Sequence, residues 1–341
     1  MLQLLLPLLL AVPSTVIAQT SPQALITQYA LSETYTYAQP TKELDSNQTV
    51  KYLKENWSIN RNRIQTGSEY ISFVDDPFDS SDNQTVLQVN YMAGSYGGSG
   101  DGGAQFYSQP LNSTNSTGLT SMLLSYDVAF DSDFIFNEGG KLPGLRGGSD
   151  IYGCSGGSEA NGTTCFSARL MWRSVGQGEV YAYIPTSGYD LCTSTNVICN
   201  SDYGTSLSRG SFTFSRGGWN NIQLFVQYNN PVHTANGKII MFVNDTLVLS
   251  HTDLLIRSST NLASIGGLFF STFFGGSDSS YASTQNQTTY YRNFALKGST
   301  LLSDGAGSTV KSGAQSKNAV LANGWIAFMF ATVALVCSFV Y

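Results

Sequence analysis

The sequence predicts an all-β protein, a jelly-roll sandwich of two antiparallel sheets with one sheet concave enough to hold a chain-like ligand. Three observations predict it. Short runs rich in β-branched and aromatic residues recur between clusters of turn residues. Amphipathic runs with the helical period are scarce. Gly, Ser, Thr, Asn and Tyr are abundant, with 34 glycines and 19 tyrosines, which suits many short strands joined by tight turns.

Taken in order, residues 1–18 form an apolar run ending in Val16-Ile17-Ala18 and read as a secretory signal peptide. Residues 19–303 then form one β domain, a size that sandwiches occupy as a single unit. Its first part, to about Gln65, is the least regular, with a short helix expected over Thr49–Trp57. Strands are expected at Glu69–Val74, Thr85–Tyr91, Ser121–Phe130, Phe166–Arg173, Glu179–Ile184, Trp219–Tyr228, Lys238–Val243 and Ile265–Phe274. In Trp219–Tyr228 the residues Ile222, Leu224 and Val226 point one way and Gln223, Phe225 and Gln227 the other, as in a strand with one core face. Asn244-Asp245 turns the chain toward Leu247–Leu249.

Residues 304–318, rich in Ser and Gly, read as a flexible stalk. The apolar stretch 319–341 follows small residues around Ser312 and Gly313, the order of a glycolipid (GPI) attachment signal whose tail is removed, Cys337 with it. A plain transmembrane helix is the rival reading, but no basic residue follows the tail to hold it. Eight Asn-x-Ser/Thr sequons, at Asn47, Asn56, Asn83, Asn112, Asn115, Asn161, Asn244 and Asn286, agree with export. In an oxidising compartment the remaining cysteines predict two local disulfides, Cys154–Cys165 and Cys192–Cys199. Together these features predict an extracellular, monomeric protein held by GPI at the outer face of the plasma membrane or cell wall.

Composition also excludes classes. The net charge is −6 and the Lys and Arg residues are scattered, so nucleic acid is not an expected partner. Only two histidines, His233 and His251, accompany the cysteines, and neither pair of cysteines has a second pair at zinc spacing, so no metal or other cofactor is expected.

The chemistry-bearing stretch begins at Gly139-Gly-Lys-Leu-Pro-Gly-Leu145, where glycines and a proline read as a turn presenting Lys141. Alternation then sets Ser167, Arg169, Met171 and Arg173 on one face of a strand, and Glu179, Tyr181 and Tyr183 on one face of the next. A turn centred on Gly176 would pair Arg173 with Glu179, Met171 with Tyr181 and Arg169 with Tyr183. These residue types suit β-elimination on a uronic acid. Lys141 and Arg169 would neutralise the C6 carboxylate, which makes the C5 proton easier to remove and stabilises the developing enolate. Tyr181 or Tyr183 would act as base or acid if the cations lower a phenol pKa, and Ser167 would hold substrate by hydrogen bonding.

Gly-Gly-Lys-Leu-Pro-Gly-Leu, followed by Ser-x-Arg at Ser167 and Arg169 and Tyr-x-Tyr at Tyr181 and Tyr183, resembles the signature of polysaccharide lyase family 14. That family includes alginate and glucuronan lyases and many fungal secreted proteins. The resemblance implies a β-jelly-roll lyase that needs no metal and acts on an acidic polysaccharide. It places the family's functional residues on Lys141, Ser167, Arg169, Tyr181 and Tyr183. It is densest over Gly139–Pro185 and extends through Phe269–Gly276. The insertion carrying Cys154 and Cys165 is longer than expected of the viral and molluscan enzymes, and is placed to reshape one end of the cleft.

Other readings of the same residues remain open. The tyrosines are also ordinary strand aromatics, and Lys141 is also a common solvated turn residue. Arg173 and Glu179 suit a cross-strand ion pair. Asp278 either lines the cleft, contacting substrate, or caps a turn. A non-catalytic, lectin-like wall protein would use the same aromatics to stack on sugars. A retaining glycosidase needs two carboxylates about 5 Å apart, yet the one Glu-x-Asp, Glu43–Asp45, lies in the irregular part, and Glu138, Glu159 and Glu179 are separated in sequence. Ser167 lacks the Gly-x-Ser-x-Gly elbow of a serine hydrolase.

Overall fold

The computed structural model describes residues 21–79, 84–97, 100–111, 118–158 and 160–310. The signal peptide, Ser312 and Gly313 with the apolar tail, the sequons Asn83, Asn112 and Asn115, and Glu159 lie outside these residues.

The described chain runs through α1 (Pro22–Gln28), β1 (Glu33–Thr36), α2 (Ser46–Asn56), β2 (Ile59–Thr66), β3 (Ile71–Asp75), β4 (Thr85–Tyr91), β5 (Ala104–Ser108) and β6 (Ser121–Phe130). It continues through β7 (Gly139–Gly148), β8 (Cys165–Arg173), β9 (Gln177–Tyr183), β10 (Val197–Ile198), β11 (Thr205–Thr213) and β12 (Gly218–Gln227). The last strands are β13 (Thr234–Ala235), β14 (Gly237–Val243), β15 (Thr246–Leu254), β16 (Ile265–Phe274), β17 (Gln287–Ser299) and β18 (Ser308–Thr309).

Two antiparallel sheets result. The outer sheet has the order β15-β14-β12-β6-β17-β4-β3, with β1 added on β17, and the cleft sheet the order β10-β11-β9-β8-β7-β16-β5-β2. Between them lies one apolar core. From the outer sheet, β6 contributes Tyr126, Val128 and Phe130 and β12 contributes Ile222, Leu224 and Val226. From the cleft sheet, β8 contributes Phe166, Ala168, Leu170 and Trp172. This is the predicted jelly-roll sandwich, and every strand expected from sequence exists within a few residues of its expected bounds.

Both helices cover apolar surface. In α2 the Asp45 side chain accepts from the Gln48 N–H while Gln48 reaches back to the Asp45 N–H, a capping box that starts the helix earlier than expected. Its Leu53 and the following Trp57 are completely buried in the core. The α1 helix shields Leu123, Phe225, Ile240 and Phe242 on the far face of the outer sheet, with Tyr29 stacked on Phe225 at 4.5 Å. That explains an apolar residue on the face of β12 expected to be mixed.

Three sequence expectations change. Gly139–Gly148 is a buried strand, not a turn. Gly140 lies where a Cβ would meet the Trp172 ring at 2.0 Å, and Gly144 where one would meet the Ala168 carbonyl at 2.0 Å. Those glycines permit close strand approach rather than a turn. Pro143 falls at the register shift between Leu142 and Gly144, the kind of irregularity that tolerates a residue with no N–H to donate.

The β8–β9 hairpin is also shifted by two residues: Ser167 faces Tyr183, Arg169 faces Tyr181 and Met171 faces Glu179. Its turn is centred on Val175, which takes a left-handed backbone conformation beside Gly176. A two-residue shift preserves the face of every side chain, so the expected grouping survives.

Lastly, residues 305–310 of the expected stalk lie against the domain. There β18 pairs with β13, and Val310 is buried with Ala235 and Leu255. Both local disulfides, Cys154–Cys165 and Cys192–Cys199, are formed.

Candidate active site

A cleft of about 740 Å³ lies on the open face of the cleft sheet, lined by Lys141, Arg169, Met171, Arg173, Tyr181, Tyr183 and Arg209 among others. Strand alternation builds its floor. Ser167, Arg169, Met171 and Arg173 of β8 share the face that carries Tyr181 and Tyr183 of β9, while their neighbours enter the core.

Lys141 comes from β7, opposite Met171. It is only 8% exposed, with its ammonium against the Met171 sulfur and 3.6 Å from the centre of the Tyr181 ring. Burial, then the charges of Arg169 and Arg173, hold its pKa well below the ordinary lysine value, with Glu179 opposing. Lys141 is thus a buried strand lysine, not the solvated turn residue of the alternative reading.

Arg169 is 2% exposed, and no carboxylate among the described residues pairs with it. Its Nη1 donates to Ser271 Oγ at 3.0 Å, its guanidinium stacks on Phe269 at 4.4 Å, and its Nε has no hydrogen-bond partner. A buried cation so weakly compensated is poised for an incoming anion.

Tyr181 is nearly buried, and desolvation raises its pKa despite the opposing pull of Arg173 and Arg169. The expectation that cations lower this phenol is therefore overturned: burial outweighs them, and Tyr181 stays a proton donor. Tyr183 is buried beside it, its hydroxyl accepting from the Gly157 N–H at 3.2 Å.

Ser167 departs from its expected role. It is completely buried, does not line the cleft, and donates to the Cys154 carbonyl at 2.6 Å. In the same row Arg146 donates to the Gly153 carbonyl at 3.0 Å. Thus Arg146, Ser167 and Tyr183, side by side on three strands, all bind backbone of the loop closed by Cys154–Cys165. The insertion covers one end of the floor, as expected, and Ser155 and Gly156 form the wall there.

Asp278 is both a cleft-rim residue and a turn cap. It lies at the cleft rim and its side chain accepts from the Ser280 N–H, which lowers its pKa. Arg173 and Glu179 form the expected ion pair, at 2.5 Å, diagonally across the hairpin rather than directly opposite.

Residues not anticipated from sequence include Arg209, Arg146, Phe269 and Ser271. For Arg209 a signal existed: Gly210 interrupts the strand pattern of Thr205–Thr213, and an isolated glycine in a strand marks a bulge. For Arg146 and Ser271 only strand pairing reveals the site. Among the described residues no group of three His, Cys, Asp or Glu side chains converges on a point. Among the described residues Asp278 is the one carboxylate lining the cleft, and the nearby Glu179 is enclosed by two arginines, so no glycosidase pair is assembled there.

The family model for polysaccharide lyase 14 matches residues 79–294. A marine alginate lyase of that family from Aplysia kurodai is 35% identical, with 78% of this chain and 98% of that one covered and a TM-score of 0.65. An alginate lyase from Chlorella virus is 22% identical, with 65% of this chain and 88% of that one covered and a TM-score of 0.53, and it shares the fold. No curated protein matches the chain. With the family model spanning most of the sandwich and a member 35% identical along most of the chain, the protein belongs to polysaccharide lyase family 14 and is a polysaccharide lyase.

Proposed function

We propose that the protein cleaves a uronate-containing polysaccharide, of the alginate or glucuronan kind, by β-elimination carried out by its own side chains. The observation that carries this reading is one cleft holding a buried lysine of lowered pKa beside a buried arginine with no carboxylate partner. Arg169 takes the C6 carboxylate and stabilises the enolate as negative charge grows there. Lys141, as the neutral amine, takes the C5 proton. Tyr181, kept protonated by burial, donates to the C4 oxygen as the C4–O bond breaks. The products are a saccharide with a C4–C5 double bond and a new hydroxyl end. The 35% identical relative is an alginate lyase, which favours this substrate class.

Two cystines and the exposure of all five described sequons, Asn47, Asn56, Asn161, Asn244 and Asn286, support an extracellular, glycosylated protein. Release from intact cells by a phosphatidylinositol-specific phospholipase would support the GPI anchor, and full retention would refute it.

The test of function is ultraviolet absorbance of unsaturated uronate on several purified polyuronates. Activity is expected with wild type and lost in Lys141→Ala and Tyr181→Phe. Equal activity in all three would sink the assignment of the site. Binding without any absorbance change would favour the lectin-like reading.

A further inference from the structure

Of the described sequons, Asn161-Gly162-Thr163 alone lines either the cleft or the protein's second hollow, which measures about 520 Å³. The sequon is pinned in place. Gly162 takes a left-handed conformation, and a Cβ there would lie 2.8 Å from both the Pro185 ring and the Ser258 nitrogen, so glycine is required between Asn161 and Thr163. Ser258 donates from its N–H to the Gly162 carbonyl at 2.8 Å and from its hydroxyl to the Asn161 carbonyl at 2.7 Å. The Thr163 N–H and hydroxyl both donate to Asn161 Oδ1, at 2.9 and 2.6 Å. Nδ2, the atom that carries an N-linked glycan, is left with no hydrogen bond among the described residues, on an exposed side chain.

The hollow lies where three segments meet. Ala160 and Asn161 belong to the loop closed by Cys154–Cys165, Asn200 and Tyr203 follow Cys199, and His233 and Val310 flank the β13–β18 pair. No Asp, Glu, Lys or Arg is among the described residues that line it, whereas the cleft presents Lys141, Arg169, Arg173 and Arg209. An acidic sugar gains no counter-charge in the hollow, so its lining suits a neutral one. The side chains of Thr186, Ser187 and His233 make no hydrogen bond among the described residues and are open to hydroxyl and acetamido groups. Tyr203, 43% exposed, adds an aromatic face.

We propose that this hollow is an intramolecular glycan site, holding the N-acetylglucosamine core of a glycan on Asn161 against Tyr203. A short covalent tether at the rim supplies an effective concentration on the order of millimolar, enough to fill a site of modest affinity. Tyr183, Asn200, Tyr203 and Gly204 line both hollow and cleft, so the packed glycan braces that wall of the cleft from behind. The inference rests on the reading of the protein as exported and glycosylated, and adds a binding role for one glycan.

The experiment takes the full chain secreted from a eukaryotic host and treats it, undenatured, with an endoglycosidase that cuts within the N-acetylglucosamine core. Glycopeptide mass spectrometry follows each site, with the glycan on Asn47, exposed on α2, as the control. Release at Asn161 is expected to be about tenfold slower than at Asn47, the factor a modest stacking contact supplies, and equal after denaturation. Tyr203→Ala, which leaves the sequon intact, is expected to bring the native rate at Asn161 within about twofold of that at Asn47. Thr163→Val, which removes the sequon but keeps Asn161, is expected to melt about 2 °C or more below Thr163→Ser, which keeps both. Equal native rates at the two sites, equal melting of the two Thr163 variants, or a bare Asn161 beside an occupied Asn47 would overturn the proposal. Carbohydrate on none of the sequons would overturn the export reading together with it.

Discussion

Two arginines, one on each sheet, are treated in opposite ways. On the outer sheet, Arg292 of β17 donates to Asp76 at 2.6 Å and to Asp127 at 3.3 Å, and packs 4.3 Å over Trp219. On the cleft sheet, Arg169 of β8 has a hydroxyl and two aromatic faces but no carboxylate. The fold therefore pairs Arg292 with two carboxylates and leaves Arg169 with none among the described residues. On the function proposed above, the counter-ion that Arg169 lacks is supplied by substrate.

The comparison breaks most directly at Arg169. Arg169→Gln is expected to lower kcat/KM by about 10³-fold, the scale of losing one preorganised donor to a developing anion, with the melting temperature unchanged or raised. If thermal stability falls along with activity, the residue is structural after all. Arg292→Gln should show the reverse: about 3 kcal/mol of stability lost in denaturant melts, because two carboxylates lose their partner, with kcat within about twofold. A large fall in kcat at unchanged stability would show that the outer sheet shares in catalysis.

Lys141 sharpens the same contrast through pH. Its folded pKa lies below the unfolded value near 10.5, so the unfolded chain binds more protons between the two, and stability rises with pH across that window. Lys141→Met is therefore expected to be more stable than wild type at pH 7 by about 1 kcal/mol or more, since a tenfold difference in proton affinity between the folded and unfolded chain is worth about 1.4 kcal/mol. The gain should vanish above pH 10.5. Thermal melts across pH with no such convergence would refute a neutral buried amine. In wild type, kcat/KM is expected to rise with pH as Lys141 loses its proton below the ordinary lysine range. It should fall only above the ordinary tyrosine range, where Tyr181 ionises.

The smallest effect is expected at Ser167. Because its hydroxyl goes to the Cys154 carbonyl, Ser167→Ala should cost about 1 kcal/mol of stability and leave kcat within a few-fold. A loss comparable to that of Arg169→Gln, with the melting temperature intact, would restore a direct role for this serine.

Local chemistry alone made much of this protein legible. Alternation fixed which face each side chain of β8 and β9 takes, because the strand period of two is insensitive to a register slip of two residues. That is why Arg169, Tyr181 and Tyr183 were grouped correctly from a hairpin placed two residues off. Spacing of the cysteines likewise foretold both disulfides. Tertiary structure decided what depends on the neighbouring strand. The glycines around Lys141 read as a turn, and only the Trp172 ring and the β8 backbone packed against them show why they belong to a strand. The absence of a carboxylate near Arg169 and the enclosure of Glu179 by Arg173 and Arg209 join residues from different strands. So does the desolvation that raises the Tyr181 pKa and lowers that of Lys141. Burial and pairing are properties of the assembled sheet, and no stretch of sequence carries them by itself.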